Sequence, residues 1–223
     1  MQSSSVMAPL NMNFSQRVVV TPDGYHWMPS PSHSVERMPL ERVSAETGHT
    51  TSIVRYAPQA AFPEHIHAGG EEIFVIDGIF QDEYGDYPAG TYIRNPSGTR
   101  HAPRSETGCL LFVKLSQFAD SDAQQIVIET HNTPFLPGHG GLRVLPLHSH
   151  GTESTALVFW PKGEKFLPHT HVGGEEIFVL SGEFIDEHGR YPEGSWLRSP
   201  HLSSHHPWVE TDTLIYVKTG HLG

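Results

Sequence analysis

The sequence of 223 residues contains a single cysteine, Cys109, and little positive charge. One thiol excludes an intrachain disulfide and a zinc cluster built from the thiolates of one chain. Cys109 lies in an apolar run and is predicted to be a buried strand residue. The 14 Lys and Arg against 25 Asp and Glu, with no basic cluster, cannot neutralise a phosphate backbone. Binding to nucleic acid or to an anionic membrane is therefore not expected.

Long apolar runs are also missing. No stretch approaches the roughly 18 apolar residues of a transmembrane helix, and the first residues lack the charged and apolar regions of a signal peptide. A cytoplasmic protein is therefore expected. The 21 Gly and 18 Pro, with only 17% charged residues, are typical of short strands joined by many turns. An all-β fold is predicted.

Histidine is abundant, with 17 residues, and its spacing reveals an internal repeat. The segment from His65 to Val75 recurs from His169 to Val179, and the match continues without a gap to Pro103 and Pro207. Each repeat unit has the size of a small β-barrel domain and is too long for a solenoid repeat. The predicted segments are an N-terminal arm (1–34), a first domain (35–118), a linker with a possible extra strand (119–141) and a second domain (142–223).

The repeated histidines have the spacing of metal ligands. Alternate residues of a strand share a face, so His65 and His67 can reach one ion, and Glu71 has the same parity after a Gly-Gly step. His101 would come from a neighbouring strand. Imidazole and carboxylate suit zinc, iron, manganese or nickel. The predicted ligands are His65, His67, Glu71 and His101 in the first domain, and His169, His171, Glu175 and His205 in the second.

Neighbouring residues are given other interpretations. Glu72 has the opposite parity and is predicted to be a surface or salt-bridging group. Of the tandem His205 and His206, only His205 has a histidine counterpart in the other repeat. Arg94 is predicted to pair with Glu72, and recognition of an anionic ligand is the alternative. Surface histidines that were duplicated with their fold are the alternative for the whole set, and the recurrence of four residues at the same spacing argues against it.

The segments from His65 to Gly78 and from His169 to Gly182 resemble the first cupin motif. Their Gly-Gly-Glu-Glu-x-Phe-Val, the following Asp-Glu-x-Gly-x-Tyr-Pro-x-Gly and the distant histidine are similar to the cupin domain of ChrR-type anti-sigma factors. The resemblance implies two tandem cupin domains, which are double-stranded β-helix or jelly-roll barrels. Nothing matches the His-x3-Cys-x2-Cys pattern of the sigma-binding domain, which argues against a sigma factor as partner.

The resemblance implies two divalent ions per chain, with zinc as the first expectation and iron, manganese or nickel as alternatives. One hypothesis is a regulatory or sensor protein of an oxidative-stress or small-ligand response, in which four protein ligands close a tetrahedral zinc site. The alternative is a non-haem dioxygenase of the acetylacetone or quercetin type, in which an octahedral metal keeps two positions for substrate and O₂. One site could be active and the other structural. A small-molecule ligand or protein partner and a homo-oligomer are expected.

Overall fold

The structure is a computed structural model that describes residues 8–32 and 34–222. Residues 1–7 and 33 of the predicted arm, and residue 223 of the predicted second domain, lie outside the described residues. The described chain has no α-helix, and therefore no helix long and apolar enough to cross a membrane. Two 3₁₀ turns, Pro22–Gly24 and Thr130–Asn132, interrupt the strands. The all-β prediction is confirmed.

The strands in chain order are β1 (Val18–Val20), β2 (Met28–Pro29), β3 (Val35–Arg42), β4 (Thr50–Tyr56), β5 (Ala60–Ala61), β6 (His65–Ile66), β7 (Glu71–Gln81), β8 (Asp86–Pro88), β9 (Thr91–Asn95), β10 (Arg100–His101), β11 (Arg104–Ser105), β12 (Cys109–Leu115), β13 (Ile126–Glu129), β14 (Leu136–Pro137), β15 (Arg143–His150), β16 (Glu153–Trp160), β17 (His169–His171), β18 (Glu175–Ser181), β19 (Glu183–Asp186), β20 (Gly189–Pro192), β21 (Trp196–Ser199), β22 (Ser203–His205) and β23 (Thr213–Thr219).

The chain divides into two compact units. Met1–Met12 and His26–Asn132 form unit 1, and Asn13–Tyr25 and Thr133–Gly223 form unit 2. The main sheet of unit 1 has the order β13-β9-β7-β12-β4-β3-β2, and that of unit 2 has the order β1-β21-β18-β23-β16-β15-β14. Within the gap-free repeat, β7 and β9 correspond to β18 and β21, and the other strands take equivalent positions in the two orders. The edge strands β13 and β1 lie outside the gap-free repeat, and β1 joins the unit that contains the second copy.

Each unit has an apolar core on the inner face of its sheet. Because strand side chains alternate, Ile73 and Val75 point inward together with Glu71, which places this carboxylate at the rim of the core. Each fully buried aliphatic or aromatic side chain contributes about 1.5–3 kcal/mol. The central core residues are Ile73, Val75, Phe80, Ile93 and Leu111 in unit 1 and Ile177, Val179, Phe184, Leu197 and Ile215 in unit 2.

Three side chains refine the predictions from the sequence. Cys109 is buried in the core of unit 1, as predicted, and burial raises the pKa of its thiol to about 11. Glu72 is buried and not a surface group, because its outward face of β7 is covered; it accepts a hydrogen bond from Tyr92 Oη at 2.9 Å. Arg94 forms a buried ion pair with Asp122, with 2.8 Å between Nη1 and Oδ2.

Candidate metal centres

The four predicted residues of unit 2 converge on one point. His169 and His171 lie on β17, and His205 lies on the antiparallel partner β22, directly opposite His169. Gly174 adopts φ of +72°, a left-handed conformation that side chains disfavour, and this turn leads to Glu175 at the start of β18. One ligand atom from each of the four residues lies within 4.8 Å of all the others.

The spacing of these atoms suits a first-row divalent ion. His171 Nε2 lies 3.1 Å from His205 Nε2, and Glu175 Oε2 lies 3.5 Å from the first and 3.6 Å from the second. With metal bonds near 2.1 Å, ligand atoms are about 3.4 Å apart in a tetrahedron and about 3.0 Å apart in an octahedron. The residues of unit 2 therefore fit a metal ion, and the spacing allows either geometry.

Unit 1 has the same constellation with one difference. Its three imidazoles, from His65, His67 and His101, form a set within 4.8 Å, and Glu71 is not within that spacing of the whole set. Glu71 Oε2 nevertheless lies 3.4 Å from both His67 Nε2 and His101 Nε2. Asn95 Nδ2 donates a hydrogen bond to the same oxygen at 3.4 Å. The structure thus brings all eight predicted residues to two centres, and their role as metal ligands stays a prediction.

In each centre, a backbone carbonyl determines which ring nitrogen of one histidine carries the proton. His65 Nδ1 lies 3.0 Å from the Pro63 carbonyl, and His169 Nδ1 lies 2.9 Å from the Leu167 carbonyl. Because a carbonyl oxygen can only accept, Nδ1 carries the proton in this hydrogen bond. Nε2 then keeps its lone pair, which is the arrangement that a metal-binding imidazole needs.

Each centre also contains an aspartate that was not predicted from the sequence. Its carboxylate lies next to the Nδ1 atom of one histidine. Asp82 Oδ2 lies 3.2 Å from His101 Nδ1, and Asp186 Oδ2 lies 3.6 Å from His205 Nδ1. Burial raises the pKa of Asp82, but the hydrogen bonds from His101 and the Tyr84 backbone outweigh it and the pKa is lowered. Such a carboxylate orients the ring and increases its basicity toward a metal.

The aspartate is held differently in the two units. Tyr87 Oη donates to Asp82 at 3.1 Å in unit 1. In unit 2, Arg17 Nη2 additionally donates to Asp186 Oδ2 at 3.0 Å. Arg17 precedes β1, and Gln125 occupies the same position before β13 in unit 1. The two centres therefore have the same types of candidate ligand, but only in unit 2 does an arginine bind the supporting aspartate at this position.

Burial disfavours the charged forms of two candidate ligands of unit 2 in the absence of metal. Burial lowers the pKa of His171 to about 3, and the charges of His205 and His169 add to the effect. Burial likewise raises the pKa of Glu175 to about 7, against the opposing charge of His205. In unit 1, burial lowers the pKa of His67. Neutral imidazoles are the form that binds a metal.

The centre of unit 1 faces a cavity of about 340 Å³. His65, His67 and Glu71 form part of its wall. The remaining wall is mainly apolar, which is typical of sites for small molecules. Its apolar lining includes Phe62, Ile73, Phe80, Leu111 and Val113. A metal in unit 1 would therefore lie within reach of a bound organic molecule.

Removal of the supporting carboxylate should weaken metal binding. We expect Asp82→Asn to lower the metal affinity of unit 1 about 10- to 100-fold, because His101 loses the anion that orients it. The measurement is a competition titration against a chromophoric chelator. Asp77→Asn is the matched control, since Asp77 is exposed on β7, which ends one residue before Asp82, and the change in charge is identical. Equal affinities for the two variants would contradict the supporting role of Asp82.

Comparisons with known proteins agree with this description. In sequence, no curated protein matches the chain significantly. A protein from Nostoc punctiforme PCC 73102, provisionally named a dioxygenase, superposes with a TM-score of 0.76 at 16% identity, over 91% of this chain and 82% of the other. Escherichia coli pirin YhhW, in complex with nickel(II), gives 0.69 at 12% identity, over 92% and 98%. Lactobacillus farciminis oxalate decarboxylase gives 0.67 at 12%, over 92% and 86%.

These similarities show the fold and leave activity open. The family of the ChrR cupin-like domain matches the chain twice, over residues 15–119 and 123–223. The two matches together cover nearly all of the sequence and contain one candidate centre each. With its two cupin-like units, the chain therefore belongs to the ChrR cupin-like domain family as a bicupin.

Proposed function

We propose that the chain binds one divalent metal ion in each unit and that unit 1 acts as a non-haem metal-dependent dioxygenase. The observation that carries the proposal is the cavity of about 340 Å³ whose wall includes His65, His67 and Glu71. A purely structural metal site needs no such space. An enzyme that combines O₂ with an organic substrate needs both a metal and room beside it.

The candidate ligands would suit this chemistry. Three neutral imidazoles and one carboxylate leave a divalent ion with a net charge of about +1, which favours an enolate-like substrate. When bound, the metal would supply a Lewis acid and a binding position for O₂. Within the chain, Asp82 holds His101, the Pro63 carbonyl holds His65, and the apolar wall excludes water from the substrate. These fixed positions reduce the reorganisation that a reaction would require.

A sensor protein is the second candidate function. The family is named after ChrR, and unit 2 presents four candidate ligands within 4.8 Å, a set that can close a tetrahedral zinc site. In this candidate, a small molecule or an oxidant would act on unit 1 and a partner protein would read the change. A homo-oligomer in the cytoplasm is proposed for either function.

The test begins with metal content. Protein purified anaerobically, without a His tag or added metal, is analysed by mass spectrometry and then reloaded with iron(II), manganese, nickel or zinc. O₂ uptake is followed with β-diketones, β-keto acids and related enolisable substrates. About two ions per chain with O₂ uptake in a redox-active form supports the proposal. No O₂ uptake in any metal form and with any of these substrates would overturn it and favour the sensor.

A further inference from the structure

The cavity of unit 1 contains an arginine that forms no direct ion pair with a carboxylate. Arg42 lines the cavity and is only 4% exposed. Its Nε donates to the Ser44 carbonyl at 2.8 Å, and its Nη2 donates to the Ala45 carbonyl. Among the described residues, no carboxylate lies within ion-pair distance of it. A buried charge is costly unless it is paired, so this guanidinium is suited to an anion that enters the cavity.

The other charged groups of the cavity do not supply that anion. Arg37 also lines the cavity, but both of its terminal nitrogens bind the Glu46 carboxylate, at 3.1 to 3.3 Å. This pair is neutral as a whole. Glu71 would be engaged by the metal, and a divalent ion with one carboxylate keeps a positive charge. The cavity of the metal-loaded unit therefore has an excess of positive charge, although the whole chain has a net charge of −11.

The strand register places the arginine and the metal centre in one row. Arg42 lies opposite Thr50 on β4, Thr50 lies opposite Leu115 on β12, and Leu115 lies opposite Glu71 on β7. Three strand spacings separate Arg42 from Glu71, about 14 Å along the curved sheet. Both side chains line the same cavity. An arginine side chain, a ligand of several carbon atoms and a metal ion can together span this distance.

We propose that unit 1 binds an organic monocarboxylate, with its carboxylate on Arg42 and its apolar body extending along the cavity to the metal centre. The inference deepens the proposed function, because it names the substrate class of the same cavity. An arginine fork binds a carboxylate through two parallel hydrogen bonds, which gives both affinity and orientation. The apolar wall selects a hydrocarbon body over a second charged group.

Unit 2 does not carry the same feature. In unit 2, Ser154 on β16 takes the position of Thr50, because it lies opposite Thr219, which lies opposite Glu175. Ser154 in turn lies opposite Ser149 on β15. In the same way, Val54 corresponds to Val158, which lies opposite Val144. Serine and valine therefore occupy the positions of Arg42 and Arg37. The chain should bind two metal ions but one carboxylate.

The experiment is calorimetric titration of the full-length, metal-loaded protein with monocarboxylates from acetate to octanoate and with 3-phenylpropionate. Each acid is compared with its primary amide, which has a similar shape but no charge. We expect one equivalent per chain, an affinity that rises with the apolar body, and an amide at least about tenfold weaker. Saturation by none of the acids, two equivalents per chain, or equal binding of acid and amide would overturn the inference.

Variants of Arg42 test whether this residue binds the carboxylate. Arg42→Gln should reduce carboxylate affinity at least about tenfold and Arg42→Lys less, since lysine keeps the charge without the fork. Arg55→Gln is the control, because Arg55 lies outside the cavity and pairs with the exposed Glu36 at 2.6 Å. Metal content checks that each variant is folded. Unchanged carboxylate binding by folded Arg42→Gln would overturn the inference, and the acid and amide comparison tests it even if that variant does not fold.

The failure of this inference and that of the proposed function are distinguishable. Carboxylate binding that depends on Arg42, without O₂ uptake in any metal form, would keep the inference and reject the dioxygenase. O₂ uptake with neutral substrates that is unaffected by Arg42→Gln would keep the dioxygenase and reject the carboxylate as its substrate class.

Discussion

Replacing His67 by alanine is expected to leave about one metal ion per chain and to lower O₂ uptake by about a hundredfold or more. Loss of a residue that merely supports a ligand costs 10- to 100-fold in metal affinity or activity, and loss of the ligand itself should cost at least as much. His67 lies 2.9 Å from His101 and 3.4 Å from Glu71, so it occupies the middle of the candidate set. Mass spectrometry and oxygen-electrode measurements on the same preparation test both expectations.

The matched variant is His171→Ala in unit 2. It should also leave about one ion per chain, because His171 has the same position relative to His205 and Glu175. O₂ uptake should fall much less, since unit 1 keeps its metal and its cavity. Equal losses of activity in the two variants would contradict a division of labour between the units. Full metal content in His67→Ala would show that His67 is not a ligand.

The centres could be predicted from the sequence because duplication repeats their spacing. Two neighbouring copies of His-x-His-x3-Glu followed by a distant histidine leave few chance explanations, and strand parity alone separates Glu71 from Glu72. The structure brings together the eight residues that this reasoning selected. Parity could not show what covers the other face of β7, so the burial of Glu72 was missed.

Other features required the three-dimensional register. Asp82 lies in the repeated Asp-Glu-x-Gly segment, and its carboxylate accepts backbone hydrogen bonds from Tyr84 and Gly85 in the turn that follows. Only the folded chain shows that the same carboxylate reaches His101. The role of Arg42 was equally hidden, because a bulge in β3 between Pro39 and Glu41 changes which side chains face inward.

Metal binding by unit 2 is expected to depend steeply on pH below about 7. Burial raises the pKa of Glu175 to about 7 from an ordinary value of 4.5. Between these values the folded, metal-free unit keeps the proton, and a metal must displace it. Because His171 has a pKa of about 3, it is already neutral and releases no proton. Metal affinity should therefore rise about tenfold per pH unit from about 5 to 7 and level off above.

The same shifts make the stability of the metal-free unit depend on pH. A raised pKa means that the folded state binds more protons than the unfolded state, so the contribution of Glu175 to stability is lost as pH rises from 4.5 toward 7. His171 acts in the opposite direction, since its lowered pKa adds stability as pH rises from about 3 to 6.5. Above about pH 7 both contributions are constant, and metal binding then adds its full stabilisation.

A variant that binds metal only in unit 2 tests the predicted pH dependence of metal binding. In the His67→Ala variant the remaining ion should occupy unit 2, and calorimetry at pH 6 in buffers of different ionisation enthalpy counts the protons released. Close to one proton per metal is expected, because Glu175 is then mostly protonated. Glu175→Gln in the same background removes the group that titrates, so its weaker metal binding should release none. Proton release that persists in this double variant would assign the titration to another residue.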